Sequence, residues 1–292
     1  MIRPRRTRVL RDPTAVRRQV RTWRKQGNRI GFVPTMGFFH EGHLSLMRKA
    51  RRLCDRVVVS IFVNPTQFAP HEDFKSYPHD LRSDLKFARE LNIDLCFMPA
   101  GDRMYSPDHR TEVHVTGLDR VLEGTTRPTH FAGVALVVAK LLHITEPDIL
   151  VLGQKDAQQA VVLETLVRDL GFPVKVVRGP TVRERDGLAM SSRNTRLTEK
   201  QRRAAPVLWR ALRKARDAAR GGERSAARTR RLIRSEVARE PLVRLDYAAV
   251  VNARTLEEIP KLEGRVLIPI AAYLGRTRLI DNVEFSVSGG RS

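Results

Sequence analysis

Two histidines three positions apart, His40 and His43, stand in the run Met36-Gly37-Phe38-Phe39-His40-Glu41-Gly42-His43. They fall where a short apolar stretch turns, through Thr35-Met36-Gly37, into a segment with helical spacing. If a helix starts near Gly42, both rings lie at its positive N-terminal end. Imidazole N–H donors and unclaimed backbone N–H groups then make a phosphate seat without a lysine. Gly42 permits close approach of a ligand to the backbone. Donors so placed also stabilise the extra negative charge of a pentacoordinate α-phosphate. Zinc is the competing chemistry, but HExxH sets its histidines four apart on one helical face. Here the spacing is three and no third ligand stands out. Incidental surface histidines are the other alternative.

Two further clusters carry polar chemistry. Gly153-Gln154-Lys155-Asp156, followed by Gln158 and Gln159, offers a cation for phosphate and amides for polar substrate groups. A helix start capped by Asp156 explains the same residues equally well. In Asp186 to Asn194, Met190-Ser191-Ser192-Arg193 supplies hydroxyls and a cation suited to a mobile loop closing on triphosphate. Taken alone, that run reads better as a turn feeding a helix N-terminus, because Ser and Asn are good caps. The common phosphate fingerprints are missing: the chain has no Gly-Lys pair and no GxG.

The elements that must position these clusters follow from periodicity. Residues 29–34 read as a buried strand, and Leu44, Leu46, Met47, Ala50 and Leu53 as one face of a helix. Residues 56–63 are β-branched enough for a strand covered on both faces. Then come a turn at 64–67, a helix at 79–91 and a strand at 93–98. A helix at 131–143, a strand at 148–152, a helix at about 157–170 and a strand at 174–177 complete the series. The alternation predicts an α/β, Rossmann-like, doubly wound parallel sheet with helices on both faces. Such sheets bind ligands beyond the carboxyl ends of their strands, where 35–43 and 64–67 fall. After Gly179-Pro180 the character changes: 198–239 is Arg- and Ala-rich and helical, and 245–251 and 266–271 are strand-like. We expect a boundary near Thr181, with a domain over 1–181 and a smaller α+β domain over 182–292.

The chain has 292 residues, 41% of them hydrophobic, enough for a substantial core. The net charge of +22 raises nucleic-acid binding, since Lys and Arg neutralise phosphates. However, 6% aromatic content and no interleaving of basic and aromatic residues favour an ordinary Arg-rich surface that attracts anionic substrates. Nucleic acid is therefore not an expected partner. Cys54 and Cys96 lack CxxC partners and read as buried thiols of a reducing compartment. The basic start Met1-Ile2-Arg3-Pro4-Arg5-Arg6 has no apolar signal core behind it, and the apolar run 131–144 is too short to span a bilayer. A cytoplasmic protein without membrane segments is expected.

Taken together, the ordered segments resemble the pantoate–β-alanine ligase (pantothenate synthetase) family. That family lies within the nucleotidyl-transfer superfamily that includes class I aminoacyl-tRNA synthetases. The resemblance runs through Val33-Pro34-Thr35-Met36-Gly37 with His40 and His43, then Ser60 to Phe68, then Tyr77-Pro78. It continues through Gly153 to Gln159, Asp186 to Asn194, and Arg278-Leu279-Ile280-Asp281-Asn282. It implies condensation of (R)-pantoate with β-alanine at the expense of ATP, through a pantoyl adenylate. It also implies magnesium with the nucleotide and a homodimer through the first domain.

Position by position, the resemblance puts Met36, Gly37, Phe38, Phe39, His40, Glu41, Gly42 and His43 in the ATP site. His43 would be the proton donor and His40 its phosphate-binding companion. Gly153, Gln154, Lys155 and Asp156 match a nucleotide-binding segment, and Val182 an adenine contact through its backbone. Met190, Ser191, Ser192 and Arg193 match the closing phosphate loop. Gln67 matches a ligand of pantoate and β-alanine, and Gln159 a ligand of pantoate. Asn64, Arg127 and His130 would line the pocket, and Asp84 is a candidate metal carboxylate. The chain departs from the family pattern at Phe39 (commonly Leu), His79 (usually Arg) and Ala132 (commonly Arg). A related adenylyltransferase acting on another acid or on a nucleotide precursor, and a basic RNA-binding protein, are the competing readings.

Overall fold

A computed structural model of the chain describes residues 7–69, 72, 74 and 76–288. The basic run Met1 to Arg6 lies outside the described residues. The chain divides into two compact units, residues 1–154 with 162–180, and 155–161 with 181–292. The short segment 155–161 thus goes with the second unit, whereas the expected boundary groups it with the first.

Unit 1 is built on six parallel strands: β1 (Arg8–Leu10), β2 (Ile30–Thr35), β3 (Arg56–Ile61), β4 (Leu95–Phe97), β5 (Ile149–Gly153) and β6 (Lys175–Gly179). Their order is β1-β4-β3-β2-β5-β6. The chain steps outward from β2 through β3 to β4, then returns to β5 on the other side of β2. The order therefore reverses between β2 and β5, and the predicted doubly wound sheet is observed. The middle of β3 is buried throughout, as its Val57-Val58-Val59 run requires.

The helices are α1 (Pro13–Lys25), α2 (Glu41–Leu53), α3 (Leu81–Glu90), two single turns α4 (Gly101–Met104) and α5 (Glu123–Thr126), α6 (His130–Thr145) and α7 (Ala157–Asp169). Strand β1 and helix α1 precede the elements that periodicity identifies. Asp12 caps α1 by accepting from Ala15 N, Pro13 stands at its first position, and Val16, Val20 and Trp23 form its buried face. Helix α6 is apolar nearly all round and correspondingly buried, as a helix inside an α/β layer must be. In the core, α2 contributes Leu44, Met47 and Ala50 against Val33, Val57, Val59, Ile149 and Val151 of the strands.

Unit 2 carries α8 (Glu199–Ala204), α9 (Val207–Arg220) and α10 (Ala226–Val237), with strands β7 (Arg244–Ala248), β8 (Val251–Asn252), β9 (Gly264–Leu274) and β10 (Thr277–Val287). The single helical region expected over 198–239 is interrupted at Pro206 and at Gly221-Gly222. Strands β9 and β10 pair antiparallel over eleven residues each around a turn containing Gly275. β7 and β8 flank β9, and α9 and α10 pack their apolar faces on this sheet.

Candidate active site

Strand β2 ends at Thr35, and the chain then makes a turn held by hydrogen bonds to side chains. Thr35 Oγ1 donates to Ser60 O (2.6 Å), and Gly37 N donates back to Thr35 Oγ1 (3.2 Å). Gly37 and Phe38 take φ of +87° and +54°. The left-handed region suits glycine but is costly for phenylalanine. Phe38 N and Phe39 N both donate to the Asp84 carboxylate, at 2.9 and 2.7 Å. Burial pushes this carboxyl above the ordinary aspartate range, while the two amides pull it back down.

The turn delivers His40 to the N-cap of α2, which starts at Glu41, one residue before the Gly42 that the sequence suggests. His40 Nδ1 accepts from Gly42 N at 3.1 Å, and His43 Nδ1 accepts from His40 N at 3.3 Å. The two rings thus form a reciprocal capping box normally built from Ser or Thr with Glu. An accepting Nδ1 puts the proton of a neutral imidazole on Nε2. Each ring therefore carries its donor at Nε2, and the centroids are 4.1 Å apart. This corrects the expected phosphate seat in part. The Phe38, Phe39, His40 and Gly42 amides are committed within the protein. Glu41 pairs with Arg48 through both oxygens, and this holds its carboxyl below the usual range.

A second group of side chains gathers around Gln67, at the end of the turn after β3. Gln67 is buried; its Nε2 donates to Met36 Sδ (3.2 Å) and its Oε1 accepts from Asn64 Nδ2 (3.2 Å). Asn64 Nδ2 also donates to Gly133 O, and its Oδ1 accepts from the Tyr105 hydroxyl at 2.7 Å. The Gln67 carbonyl accepts from His130 Nδ1 (2.9 Å) and Arg127 NH2 (3.4 Å). Arg127 forms a two-pronged pair with Glu72 at 2.6 and 2.8 Å. Burial, with the Arg127 charge beside it, drives the His130 pKa down to about 4. His130 is thus neutral at physiological pH and serves as a donor to backbone. Asn64, Arg127 and His130, expected to line a pocket, converge on Gln67 and fix it. Gly153 and Gln154 end β5 in the same unit, where Arg178 NH1 donates to Gln154 Oε1 at 3.3 Å and clasps Glu164.

Unit 2 holds the remaining candidates. Lys155 Nζ pairs with Asp156 at 3.0 Å, and the Lys155 carbonyl accepts from Asn282 Nδ2 at 2.8 Å. Gln159 stands half-buried two residues beyond the start of α7. The 182–190 segment is a hairpin: Met190 N donates to Val182 O (3.0 Å), and Glu184 N to Leu188 O (2.8 Å). Its tip residue Gly187 has φ +95° and lies against Trp209, where a Cβ would come within 2.1 Å of ring carbon Cδ1. Arg183 stacks on the same ring at 3.6 Å and makes a bidentate pair with Asp281. Ser191 then caps a 3-10 turn, Ser192–Arg196, by accepting from Arg193 N. The serine functions as the cap that residue type suggests. Asn194 Nδ2 donates to Glu184 Oε1 and to the Ala189 carbonyl, and Arg202 pairs with Glu184 and Asp186.

The family model for pantoate-beta-alanine ligase matches residues 8–284. The chain belongs to the pantoate–β-alanine ligase family. A pantothenate synthetase of Moorella thermoacetica is 50% identical over 280 residues, 96% of this chain and 99% of that one. One from Chloroflexus aurantiacus is 51% identical, covering 87% and 90% of the two chains. The crystal structure of a Thermus thermophilus pantothenate synthetase superposes with a TM-score of 0.90 at 42% identity, over 94% of this chain and 98% of that one. A Francisella tularensis pantoate-β-alanine ligase, complexed with β,γ-ATP and β-alanine, matches with a TM-score of 0.78 at 33% identity, over 95% and 97%.

One expected site residue is otherwise engaged in this structure. Asp84, expected as a metal carboxylate, gives both oxygens to the amides of the histidine turn and is 2% exposed. Among the described residues no three His, Cys, Asp or Glu side chains converge to hold a metal ion. Tyr105 and Glu72 are neighbours of the group around Gln67 that local sequence does not single out. Tyr105 and Glu72 lie in irregular stretches without periodicity, and they are recognised through the partners they reach. Among the described residues no helix is long and apolar enough to cross a membrane.

Proposed function

We propose that this chain condenses (R)-pantoate with β-alanine, with ATP as co-substrate, through an enzyme-bound pantoyl adenylate. A pantoate carboxylate oxygen attacks the α-phosphorus, an O–P bond forms, and the bond to the β-phosphate oxygen breaks to release pyrophosphate. The β-alanine amine then attacks the acyl carbon, the C–N bond forms, and AMP leaves with the former carboxylate oxygen while the amine loses a proton. The reaction needs the adenylate because a carboxylate is a poor acyl donor.

The carrying observation is the histidine capping box at the carboxyl end of β2, beside the point where the strand order reverses. Two Nε2–H donors there suit the charge that develops on the phosphates, with His43 as proton donor and His40 as its companion. Gln67, cross-braced on both its side chain and its carbonyl, supports an amide contact to pantoate and β-alanine, and Gln159 a second contact to pantoate. Lys155 and the Met190-Ser191-Ser192-Arg193 run supply a cation, hydroxyls and a guanidinium for polyphosphate. Val182, whose carbonyl accepts from Met190 N, supports a backbone contact to adenine. Magnesium enters as the counter-ion of the nucleotide substrate; the described residues present no carboxylate cluster for it. In this reading two chains form a homodimer through residues 1–181, and light scattering on the purified protein tests the twofold mass.

Pantoate-dependent ATP–pyrophosphate exchange tests the proposal. Exchange should require pantoate and proceed without β-alanine; its absence with pantoate present sinks the reading. His43→Ala should slow exchange by about 100-fold or more. It should cost about 1 kcal/mol of stability through the lost cap. Equal loss of fold and activity would count against a chemical role for His43.

A further inference from the structure

We infer that Asp84 is a positioning residue, whose carboxylate sets His40 and His43 by holding the left-handed turn that precedes them, and that it is not a metal ligand. For its effect on turnover this rests on the function proposed above.

Backbone donors give the first argument. A buried N–H without a partner is strongly disfavoured. Between Thr35 and His40 the chain is bent through two successive positive-φ residues, so neither Phe38 N nor Phe39 N can pair within a helix or a sheet. Asp84 answers both at once, one oxygen to each amide. The carboxylate comes from the first turn of α3, where the helix N-terminus favours its negative charge.

Packing gives the second. A Cβ on Gly37 would stand 2.9 Å from Asp84 Oδ2 and 3.0 Å from Ile61 Cγ2, so the carboxylate is pressed directly against the turn. His40 follows Phe39 immediately, and its amide and ring form half of the capping box. Any movement of the Phe38–Phe39 peptides is therefore passed to both imidazoles.

Solvent access gives the third. Mg²⁺ sheds water reluctantly and usually keeps several water ligands. An Asp with 2% exposure and both oxygens turned to backbone amides offers no room for a hydrated ion.

The test is Asp84→Asn, which keeps size but turns one amide nitrogen toward a backbone donor. Exchange kcat should fall about 100-fold, as for a displacement of about 1 Å at a reacting group. KM for pantoate and the magnesium concentration giving half-maximal rate should hold. The ¹⁵N resonances of the His40 and His43 rings should shift in the ligand-free variant. A wild-type rate, unmoved imidazole resonances, or recovery of the rate at high magnesium would each overturn the proposal. Gly37→Ala repeats the test with the carboxylate in place, should Asp84→Asn not fold. It should lower kcat and shift the same ring resonances, and full activity with unshifted rings would refute the positioning argument. The resonance readout needs no substrate. A wild-type chain without exchange would sink the proposed function, while the ring resonances would still decide the positioning claim.

Discussion

Gly133→Ala is the change whose effect the packing defines most closely. Gly133 lies in the first turn of α6, facing the turn that carries Gln67. A Cβ there would come 2.3 Å from Thr66 O, 2.5 Å from Thr66 C and 2.6 Å from Gln67 N, all of them backbone atoms. Ordinary contact begins at 3.4 Å, so the turn must retreat by 3.4 − 2.3 = 1.1 Å. The retreat also strains the bond from Asn64 Nδ2 to Gly133 O and the one from His130 to the Gln67 carbonyl. Overpacking of this kind costs about 1–3 kcal/mol. The better helix propensity of alanine returns at most about 1 kcal/mol. A net loss of about 1–2 kcal/mol should appear as a lower urea midpoint with unchanged slope. The larger effect is on turnover. A shift of about 1 Å in a substrate-positioning group costs about 100-fold, or about 2.7 kcal/mol on the barrier. Steady-state kinetics with pantoate varied at saturating ATP would show it in kcat and in KM for pantoate. A variant as stable as the parent or more so, with kcat within about threefold, would refute the close approach of α6 to the Gln67 turn.

Two further outcomes follow from buried charge. Asp281→Ala leaves the Arg183 guanidinium, 16% exposed, without its bidentate partner. It should destabilise the chain by about 3–5 kcal/mol in urea unfolding; a loss below about 1 kcal/mol would show that Trp209 and the Gly187 carbonyl suffice to hold Arg183. His130 is neutral in the folded chain until about pH 4, whereas the unfolded chain protonates it near its ordinary 6.5. The unfolded state therefore binds the extra proton between these values. The His130 contribution is complete above pH 6.5 and is lost as pH falls toward 4, at about 1.4 kcal/mol per pH unit. His130→Gln should flatten stability against pH over that window, and identical slopes for the two proteins would show that His130 does not titrate there.

Much of the frame was legible from periodicity. The Val57-Val58-Val59 run could only be a strand covered on both faces, and Leu44, Met47 and Ala50 could only be one face of a helix. Once strands and helices alternated, a parallel doubly wound sheet followed, with polar residues expected at strand ends. Strand β10 was not legible, for a physical reason. Its buried positions include the adjacent Asp281 and Asn282, on opposite faces of the strand, which are buried because Arg183 and the Lys155 carbonyl satisfy them. Those partners are 98 and 127 residues distant in sequence, so the strand's apolar alternation is broken by contacts that local pattern does not register.

By itself, the sequence determined the residue types, the order of elements and the spacing of His40 and His43 across a strand–helix junction. These follow from local chain geometry and solvation, which act over a few residues at a time. Tertiary structure decided what those groups have left to give. It assigned the Phe38 and Phe39 amides to Asp84, while the local cap took both Nδ1 atoms and left the proton of each neutral ring on Nε2. It also brought the Asp84 carboxylate to two backbone amides, and Arg127 and His130 to the Gln67 carbonyl. A hydrogen-bonding group is exhausted by whichever partner reaches it, and such partners come together only when distant segments pack.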